Sequence, residues 1–421
     1  MGGSYSPDVL DLMVHTCTQE VSSRQAVQRL KKLAGLEIER RQLERWTHRI
    51  GQLRVDQRAE VVEHWSELPL PEATRGCPLA KAPQAVMVSM DGGRLQIHDR
   101  SGDAPPEEPA EERTAEPLLE EDRESRSSHW RESKIGCLAT LESQVYEADP
   151  IPEIPRHFLD PPRILKLSRE VCRNTPQEGK KTNCQTPSER KETERRGEGP
   201  QVLVKSVVAT KQPYAALGVM LAAAAWARGF AAAVRKAFVA DGAAINWAIW
   251  QDHFSHYTPI LDFIHAISRV FQAALAGRKF VEGWPVYRRW GQWLWSGRID
   301  DILAELQQRQ VELGLPEKDD PASSPRRSVA ETLTYLRNHQ AFVNYAEYRR
   351  LGLPITSSLM ESTVKQVSRR VKGTEKFWSE AGSDTILQLR ADYLSDTDPM
   401  PAFWENWQRS ATGQRPYVIA S

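Results

Sequence analysis

The sequence is short of several features that would assign it to a common class of protein. Its five cysteines lie far apart and form no Cys-x-x-Cys pair, so they indicate neither a zinc knuckle nor a disulfide framework. The net charge is zero, which does not by itself indicate a nucleic-acid-binding protein. The most apolar run, Tyr214 to Ala227, is shorter than the ~20 residues that a membrane span requires, and the amino terminus lacks a basic-then-apolar signal pattern. These absences favour a cytoplasmic protein without a membrane partner.

Charge and apolar content are unevenly distributed along the 421 residues, which are enough for two or three domains. Residues 22–54 carry an excess of lysine and arginine, whereas residues 99–124 are dominated by acids. Segments 99–128 and 173–200 are polar and of low complexity. Because such segments cannot bury enough apolar surface to fold, we expect two disordered loops there.

The amino-terminal part has helical periodicity, which predicts a helical domain in residues 1–75. Segment 22–35 has a serine cap and a terminal glycine, and a second helix over 39–50 follows a short turn; this is the outline of a helix-turn-helix. A basic helical hairpin without a role in DNA binding has the same spacing, so both interpretations stay open. The residues that the second helix would present to DNA are Arg40, Arg41, Arg45 and Arg49.

Two apolar runs end in an Asp-Gly pair. Residues 85–97 predict a strand that ends at Asp91, a tight turn on Gly92 and Gly93, and a partner strand. A second strand-like run ends at Asp241. Taken singly, each aspartate could be an ordinary turn residue. A carboxylate at the end of a buried strand is costly to desolvate, however, so each needs a cation or amide donors, and together they predict two carboxylates at one edge of a sheet.

A third acid lies on a helix predicted over 357–372, in which two stripes run side by side. Met360, Val364, Val367 and Val371 form the apolar stripe, which would pack on a sheet. The polar stripe would place Glu361 beside the two aspartates, although Glu361 could instead pair with Lys365 one turn away. Basic residues on or beside the polar stripe could contact DNA phosphates or could only keep the helix soluble. These residues are Lys365, Arg369, Arg370 and Lys372.

Two strand aspartates followed by a helix glutamate are the residues that a two-metal phosphodiester site requires. The chain resembles DDE-type bacterial insertion-sequence transposases of the Mutator-like lineage (Kra-type insertion-sequence group). Five motifs in the same order, spread over residues 85–395, carry the resemblance. They are Met90-Asp91-Gly92-Gly93, His129-Trp130-Arg131-Glu132-Ser133-Lys134, Ala240-Asp241-Gly242-Ala243, Leu261-Asp262-Phe263-Ile264-His265 and Ser357-Ser358-Leu359-Met360-Glu361-Ser362.

The resemblance implies an α/β fold: a ribonuclease H-like mixed sheet flanked by helices, with a helical N-terminal domain and an all-helical insertion. The core would occupy residues 84–276 and 353–396, the insertion residues 277–352, and an irregular tail residues 397–421. Asp91, Asp241 and Glu361 would be the catalytic residues and would hold two Mg²⁺ ions, with Mn²⁺ as a substitute. The activity implied is cutting of insertion-sequence ends and joining of the 3′-hydroxyl to target DNA.

The resemblance also suggests supporting residues and partners. Asp262 and His265 match an Asp-x-x-His signature, which could give structural support or act near the scissile phosphate. Trp378 or an insertion tryptophan could stack on a flipped base, although a small aromatic core is the simpler role for the insertion tryptophans. The partners implied are the inverted-repeat ends, target DNA and other copies of the chain, in a homodimer or larger synaptic assembly at the bacterial nucleoid.

Three other functions compete with this hypothesis. A ribonuclease H-like nuclease or resolvase would use the same acids without strand transfer. A transposase-derived DNA-binding protein would lack catalysis, against which the three intact acids argue. A sugar-kinase-like ATPase also has an Asp-Gly turn after its first strand, but it needs further glycine-rich phosphate loops that are not evident here.

Overall fold

The computed structural model describes residues 5–75, 77, 82–97, 130–172, 199–373 and 376–412. The loops expected to be disordered, 99–128 and 173–200, lie outside the described residues except for Gly199 and Pro200, as do His129 of the second motif and the last nine residues, 413–421. Within the described ranges, no helix combines the length and the apolar composition that crossing a membrane requires.

A six-stranded mixed sheet forms the centre of the fold, with the order β3-β2-β1-β4-β5 and with β6 paired to the far end of β1. The strands are β1 (Ala85–Ile97), β2 (Trp130–Glu142), β3 (Gln201–Thr210), β4 (Arg235–Ala240), β5 (Thr258–Leu261) and β6 (Phe377–Trp378). Strands β1 to β3 are antiparallel neighbours, whereas β4 and β5 run parallel to β1. This is the strand order of a ribonuclease H-like core, and the predicted fold class is confirmed.

Helices cover both faces of the sheet and extend beyond it. The N-terminal helices are α1 (Pro7–Gln19), α2 (Ser23–Ala34), α3 (Arg40–Glu67) and α4 (Leu70–Arg75). The helices connected to the strands are α5 (Pro161–Cys172), α6 (Tyr214–Ala227), α7 (Ala244–His253) and α8 (Phe263–Leu275). The helical insertion consists of α9 (Phe280–Trp295), α10 (Ile299–Leu313), α11 (Pro325–Asn338) and α12 (Tyr345–Arg350). The C-terminal helices are α13 (Ser358–Val371), α14 (Glu380–Leu394) and α15 (Met400–Thr412).

The hairpin predicted around Asp91 is wrong, because β1 continues without a turn through all 13 residues. Its two glycines serve close packing instead. A Cβ on Gly92 would lie 2.6 Å from Oε1 of Glu132, and a Cβ on Gly93 would lie 2.8 Å from Oγ of Ser133. Residues 201–210, for which the sequence indicated an extended conformation but no partner, form β3 and complete the antiparallel unit beside β2.

Apolar residues of alternating strand positions build a separate core on each face of the sheet. One face packs on α8 and the insertion, where Trp290 and Trp295 are 1% and 4% exposed. The prediction of an aromatic core in the insertion is therefore confirmed for these two tryptophans. The other face packs on α6 and α7, and the far half of β1 packs on α13 and α14.

The N-terminal helices share a core with the C-terminal ones, which corrects two predictions. Helix α3 does not end near Ile50 but continues to Glu67, and it passes so close to α14 that a Cβ on Gly51 would lie 2.8 Å from Cβ of Thr385. The predicted irregular tail is wrong, because residues 400–412 form α15. Its Met400, Phe403 and Trp404 are buried against α1, α2 and α3.

Candidate active site

The two strand aspartates lie at the same level of the sheet. Strands β1 and β4 are parallel, with Ser89 opposite Val239, so the residues two positions further on, Asp91 and Asp241, are level with each other. Asp262 follows β5 at the same edge, and its main-chain N–H donates to the carbonyl oxygen of Ala240 at 2.7 Å. Because the carboxyl ends of parallel strands share an edge, the topology brings these acids together.

Asp262 determines where the helix that carries Glu361 begins. The Asp262 side chain is fully buried, and its Oδ1 accepts a hydrogen bond from the main-chain N–H of Ser357 at 2.7 Å. Ser357 is the N-cap residue of α13, and its carbonyl accepts from the N–H of Glu361 at 3.0 Å. Asp262 therefore supports the site structurally, by joining the end of β5 to the first turn of α13.

His265 pairs with the same aspartate. Asp262 Oδ2 accepts from the main-chain N–H of His265 at 3.0 Å and lies 2.5 Å from its ring Nδ1. Burial alone would lower the pKa of His265, but the hydrogen bond and charge of Asp262, together with Asp241 and Asp91, raise it to about 9. The imidazole is thus a cation at neutral pH, placed among the site's carboxylates.

The carboxylate of Asp91 is electrostatically coupled to the other two acids. Burial, Asp241 and, to a smaller extent, Glu361 raise the pKa of Asp91 to about 6, against the hydrogen bond from Gly92 N–H at 2.7 Å and the charge of His265. The pKa of Glu361 is also raised, by burial and by Asp262, against the charges of Lys365 and His265. The contact between Asp262 and Ser357 therefore places the turn that carries Glu361 next to the end of β5.

Asp241 also performs the turn role that its Asp-Gly sequence suggested. Its Oδ1 accepts from Ala243 N–H at 3.0 Å and from Asn246 Nδ2 at 2.8 Å. Its carbonyl oxygen accepts from the Tyr335 hydroxyl at 2.7 Å, which connects the turn to α11 of the insertion. Gly242 has φ +99°, and a Cβ there would lie 2.6 Å from the Tyr335 ring. The turn therefore requires glycine for conformation and for space.

Asp91 on β1 and Asp241 directly after β4 lie level with each other, but the described acids of this edge do not form a metal-ligand group. Among the described residues, no three His, Cys, Asp or Glu side chains are gathered into a group that could hold a metal ion. The Lys365 Nζ lies 3.9 Å from Glu361 Oε2, so the alternative of an ion pair one helical turn apart is also present. The donors at this edge are carboxylate oxygens, which are hard ligands of the kind that Mg²⁺ prefers.

The basic residues predicted to contact DNA fall into two groups. Most of them are exposed, and these are Arg40, Arg41, Arg45 and Arg49 on α3 and Lys365, Arg369 and Lys372 at α13. Arg370 differs, since it is 5% exposed and donates to the carbonyl oxygens of Cys17 at 3.0 Å and Val21 at 3.3 Å. The DNA-binding prediction for Arg370 is wrong, because its guanidinium holds α13 against the end of α1.

Trp378 has a packing role in the structure. Its indole Nε1 donates to the carbonyl oxygen of Val371 at 2.9 Å, and the Arg370 guanidinium lies over its ring, 5.0 Å from the centroid. The residue also belongs to β6, which pairs with β1. Because the ring and its N–H are engaged in closing the end of α13, the structure gives no support to Trp378 as a base-stacking platform.

Sequence reasoning missed two residues beside the site, Tyr335 and Arg269. Tyr335 lies 94 residues along the chain from Asp241, its hydrogen-bond acceptor, so no local pattern relates them. Arg269 could have been found, since it follows His265 by four residues and must lie on the same face of α8. Its guanidinium lies 5.4 Å from the centroid of the Tyr335 ring.

Comparisons with known proteins add little to this description. No family model matches the chain, and no curated protein matches it. Among solved structures, the chain is similar to one described as "Drosophila P element transposase strand transfer complex". The identity is 10%, the match covers 95% of this chain and 94% of that chain, and the TM-score is 0.33. A likeness at this level assigns neither a family nor an activity to the chain.

Proposed function

We propose that the chain is a DDE-type DNA transposase of the Mutator-like lineage, which cuts insertion-sequence ends and joins the 3′-hydroxyl to target DNA. The observation that supports this proposal is the level position of Asp91 and Asp241 at one edge of a ribonuclease H-like sheet. Asp262 at the same edge bonds Ser357, the residue at which the helix that carries Glu361 begins. The electrostatic coupling of Asp91 to Asp241 and Glu361 also supports the proposal. Three carboxylates are costly to bring together unless their charge is used to bind cations.

Asp91, Asp241 and Glu361 would hold two Mg²⁺ ions, with Mn²⁺ as a substitute. When bound, the ions supply activation of the attacking oxygen and stabilisation of the leaving oxygen. Carboxylate oxygens are donors of the kind that this chemistry uses. Burial first, and then the charge of Asp241, raises the pKa of Asp91, and a bound cation would offset both effects. Since the described acids do not form a three-ligand group, metal binding must include side-chain movement.

The remaining residues of the site orient these acids and balance their charge. Asp262 fixes the start of α13 and hence the position of Glu361. The His265 imidazolium supplies positive charge among the carboxylates, and Tyr335 holds the turn that carries Asp241. Exposed arginines on α3 would bind the inverted-repeat ends, and Lys365, Arg369 and Lys372 would contact phosphates near the cut.

The larger organisation belongs to the same proposal. Residues 1–75 would bind transposon ends and residues 277–352 would be an insertion that borders the site. Because both ends of an element must be cut together, a homodimer or a larger synaptic assembly would act on the DNA, in the nucleoid of a bacterium.

An Asp241→Asn variant tests the proposal. We expect it to abolish Mg²⁺-dependent nicking and joining of oligonucleotides taken from inverted repeats that flank the reading frame, because the amide lacks the charge needed to hold the ion. Binding of the same oligonucleotides in a gel-shift assay should be retained. The matched control is Asp252→Asn, since Asp252 is exposed on α7.

The same assays separate the competing functions. Cutting at the wild-type rate by Asp241→Asn would refute the proposed site. Metal-dependent nicking without joining would indicate a nuclease or resolvase, and binding without either reaction would indicate a DNA-binding protein that has lost catalysis.

A further inference from the structure

A cleft of about 490 Å³ opens directly beside Asp241. Its walls are the turn after β4, one face of α8 and one face of α11. The side chains and backbone that the inference uses are Gly242, Arg269, Glu331, Thr334, Tyr335 and Asn338. The volume lies within the range of small-ligand sites and is large enough for part of a nucleotide chain.

The cleft is rigidly connected to the turn that carries Asp241. The Tyr335 hydroxyl donates to the Asp241 carbonyl, and the Tyr335 ring packs on Gly242 so closely that no larger residue fits. Helices α8 and α11 are joined here as well, because Thr332 Oγ1 donates to the carbonyl oxygen of Arg269 at 3.4 Å. A ligand in the cleft would therefore have a fixed position relative to Asp241.

Arg269 is the cation of this cleft. It lies one helical turn beyond His265 on the same face of α8, about 6 Å further along the helix axis. Its side chain is 35% exposed, and its acidic neighbour Glu331 is 3.9 Å away and 55% exposed. So loose an ion pair leaves most of the guanidinium charge available to an anion.

The ligand that fits these groups is the anionic backbone of a nucleic acid. Arg269 lies over the Tyr335 ring, so this face of the ring is not open for base stacking. Thr334 and Asn338 are exposed at the mouth of the cleft and supply neutral hydrogen-bond donors. Arginine with hydroxyl and amide side chains is a common set of phosphate contacts, and it reads no base sequence.

We propose that this cleft binds one phosphodiester of the DNA strand next to the scissile position, with Arg269 as the phosphate ligand and α11 of the insertion as its wall. The inference rests on the proposed action on DNA and deepens it. It gives the insertion a direct part in substrate binding, because α11 would position the strand relative to Asp241.

Salt-dependent binding of the full-length chain to a short fluorescein-labelled duplex of arbitrary sequence tests this inference. The titrations use EDTA, so that nothing is cut. Arg269→Ala should weaken binding by about tenfold, as expected for one lost charge-assisted contact. It should also reduce the slope of log affinity against log salt by about 0.9, the contribution of one phosphate. The matched control is Arg337→Ala, because Arg337 is exposed on the same helix α11 but does not line the cleft.

Glu331→Gln should change the DNA affinity in the opposite direction to Arg269→Ala. Removing the acid next to Arg269 should tighten binding several-fold, and this variant remains informative if Arg269→Ala does not fold, as judged by circular dichroism. Three outcomes would each overturn the inference. The first is a wild-type salt slope in a folded Arg269→Ala variant, and the second is an equal loss of affinity in Arg337→Ala. The third is an unchanged affinity in Glu331→Gln.

Nicking assays distinguish failure of this inference from failure of the proposed function. A wild-type protein that cuts DNA, together with an Arg269→Ala variant that binds and cuts equally well, would refute only the cleft. A wild-type protein that binds DNA through Arg269 but never cuts it with Mg²⁺ or Mn²⁺ would refute only the proposed catalysis.

Discussion

Asp91 shows how burial and neighbouring charge act on one residue. In the folded chain its pKa is about 6, against an ordinary value of 3.8, because the carboxylate is largely buried beside Asp241. The folded state therefore binds the proton more tightly than the unfolded state does. Consequently, the contribution of Asp91 to the free energy of unfolding falls as the pH rises from about 4 to about 6 in the absence of metal, and it stays low above that range.

Asp91→Asn should remove the destabilisation that comes from ionising the buried Asp91 carboxyl group. Without divalent ions, the variant should be more stable than the wild type at pH 7 by about 1–3 kcal/mol, allowing for partial exposure of the carboxylate. Thermal unfolding in EDTA at several pH values from 4 to 7, all below the pKa of His265, measures the difference. Added Mg²⁺ should stabilise the wild type and not the variant. Equal pH profiles for the two proteins would contradict this account of Asp91.

Arg369 and Arg370 are adjacent in sequence but have opposite roles. Arg370→Ala should lower the free energy of unfolding by about 2–4 kcal/mol, since it removes a buried hydrogen bond to the Cys17 carbonyl and a part-buried one to the Val21 carbonyl. Arg369→Ala should change stability by less than about 0.5 kcal/mol and should reduce the salt dependence of DNA binding by about one phosphate. Chemical denaturation and fluorescence titration measure the two effects. A wild-type stability of Arg370→Ala would show that its contacts with Cys17 and Val21 do not hold α13.

At the scale of elements, the sequence predicted the strands and helices that local residue patterns determine. A short apolar run closed by Asp-Gly identified the strand before Asp241, and the apolar and polar stripes around Glu361 identified α13. The shared edge for the aspartates followed because parallel strands end on one side of a sheet. These features depend on a few neighbouring residues and on chain direction, both of which a sequence shows.

The wrong predictions concern features that depend on residues distant in the sequence. Gly92 and Gly93 are typical turn residues, yet they lie within β1. A Cβ at either position would be too close to Glu132 or Ser133 of β2, so glycine is required there for packing. The helical stripe on α13 showed which residues face the sheet but not that α1 would cover Arg370. Helix α15 was not predicted because its apolar residues are buried only by packing on α1, α2 and α3, which are distant in the sequence.

The contact between the insertion and the Asp241 turn can be tested with two glycines. Gly35→Ala, at φ +66° with no atom within 4 Å of a Cβ, should cost only the backbone strain of about 1 kcal/mol. Gly242→Ala adds a clash with Tyr335 to that strain and should cost about 2–4 kcal/mol. Urea denaturation measures both costs. Combining Gly242→Ala with Tyr335→Ala should cost less than the sum of the single changes, and strict additivity would show that the two residues do not interact.

At the scale of the whole molecule, the N-terminal helices are built into the fold. Leu10, Leu30 and Leu43 share a core with Leu389 and Trp404. Ion pairs strengthen the same contact: Arg54 bonds Asp392 at 2.9 Å, and Arg58 bonds Asp384 at 3.2 Å. A surface that binds DNA on α3 would thus have a fixed position relative to the candidate active site.

Hydrogen exchange should show α1, α3, α14 and α15 opening as one unit. Arg58→Met should speed exchange in both α3 and α14, because it removes the ion pair between Arg58 of α3 and Asp384 of α14 at 3.2 Å. Helix α10, in the insertion, is the internal control and should be unaffected. Faster exchange confined to α1 to α3 would indicate an independently folding N-terminal domain instead.

The shared core of the first and last helices has a consequence for biosynthesis. A ribosome delivers α1 to α3 long before Leu389, Met400 and Phe403, which cover their apolar face. Domains that emerge early usually fold early. The N-terminal helices cannot complete their core until α14 and α15 are available. The nascent chain would therefore expose a chaperone-binding surface until α14 and α15 have emerged, and a stop codon before α14 would cost the cell the folded N-terminal helices as well.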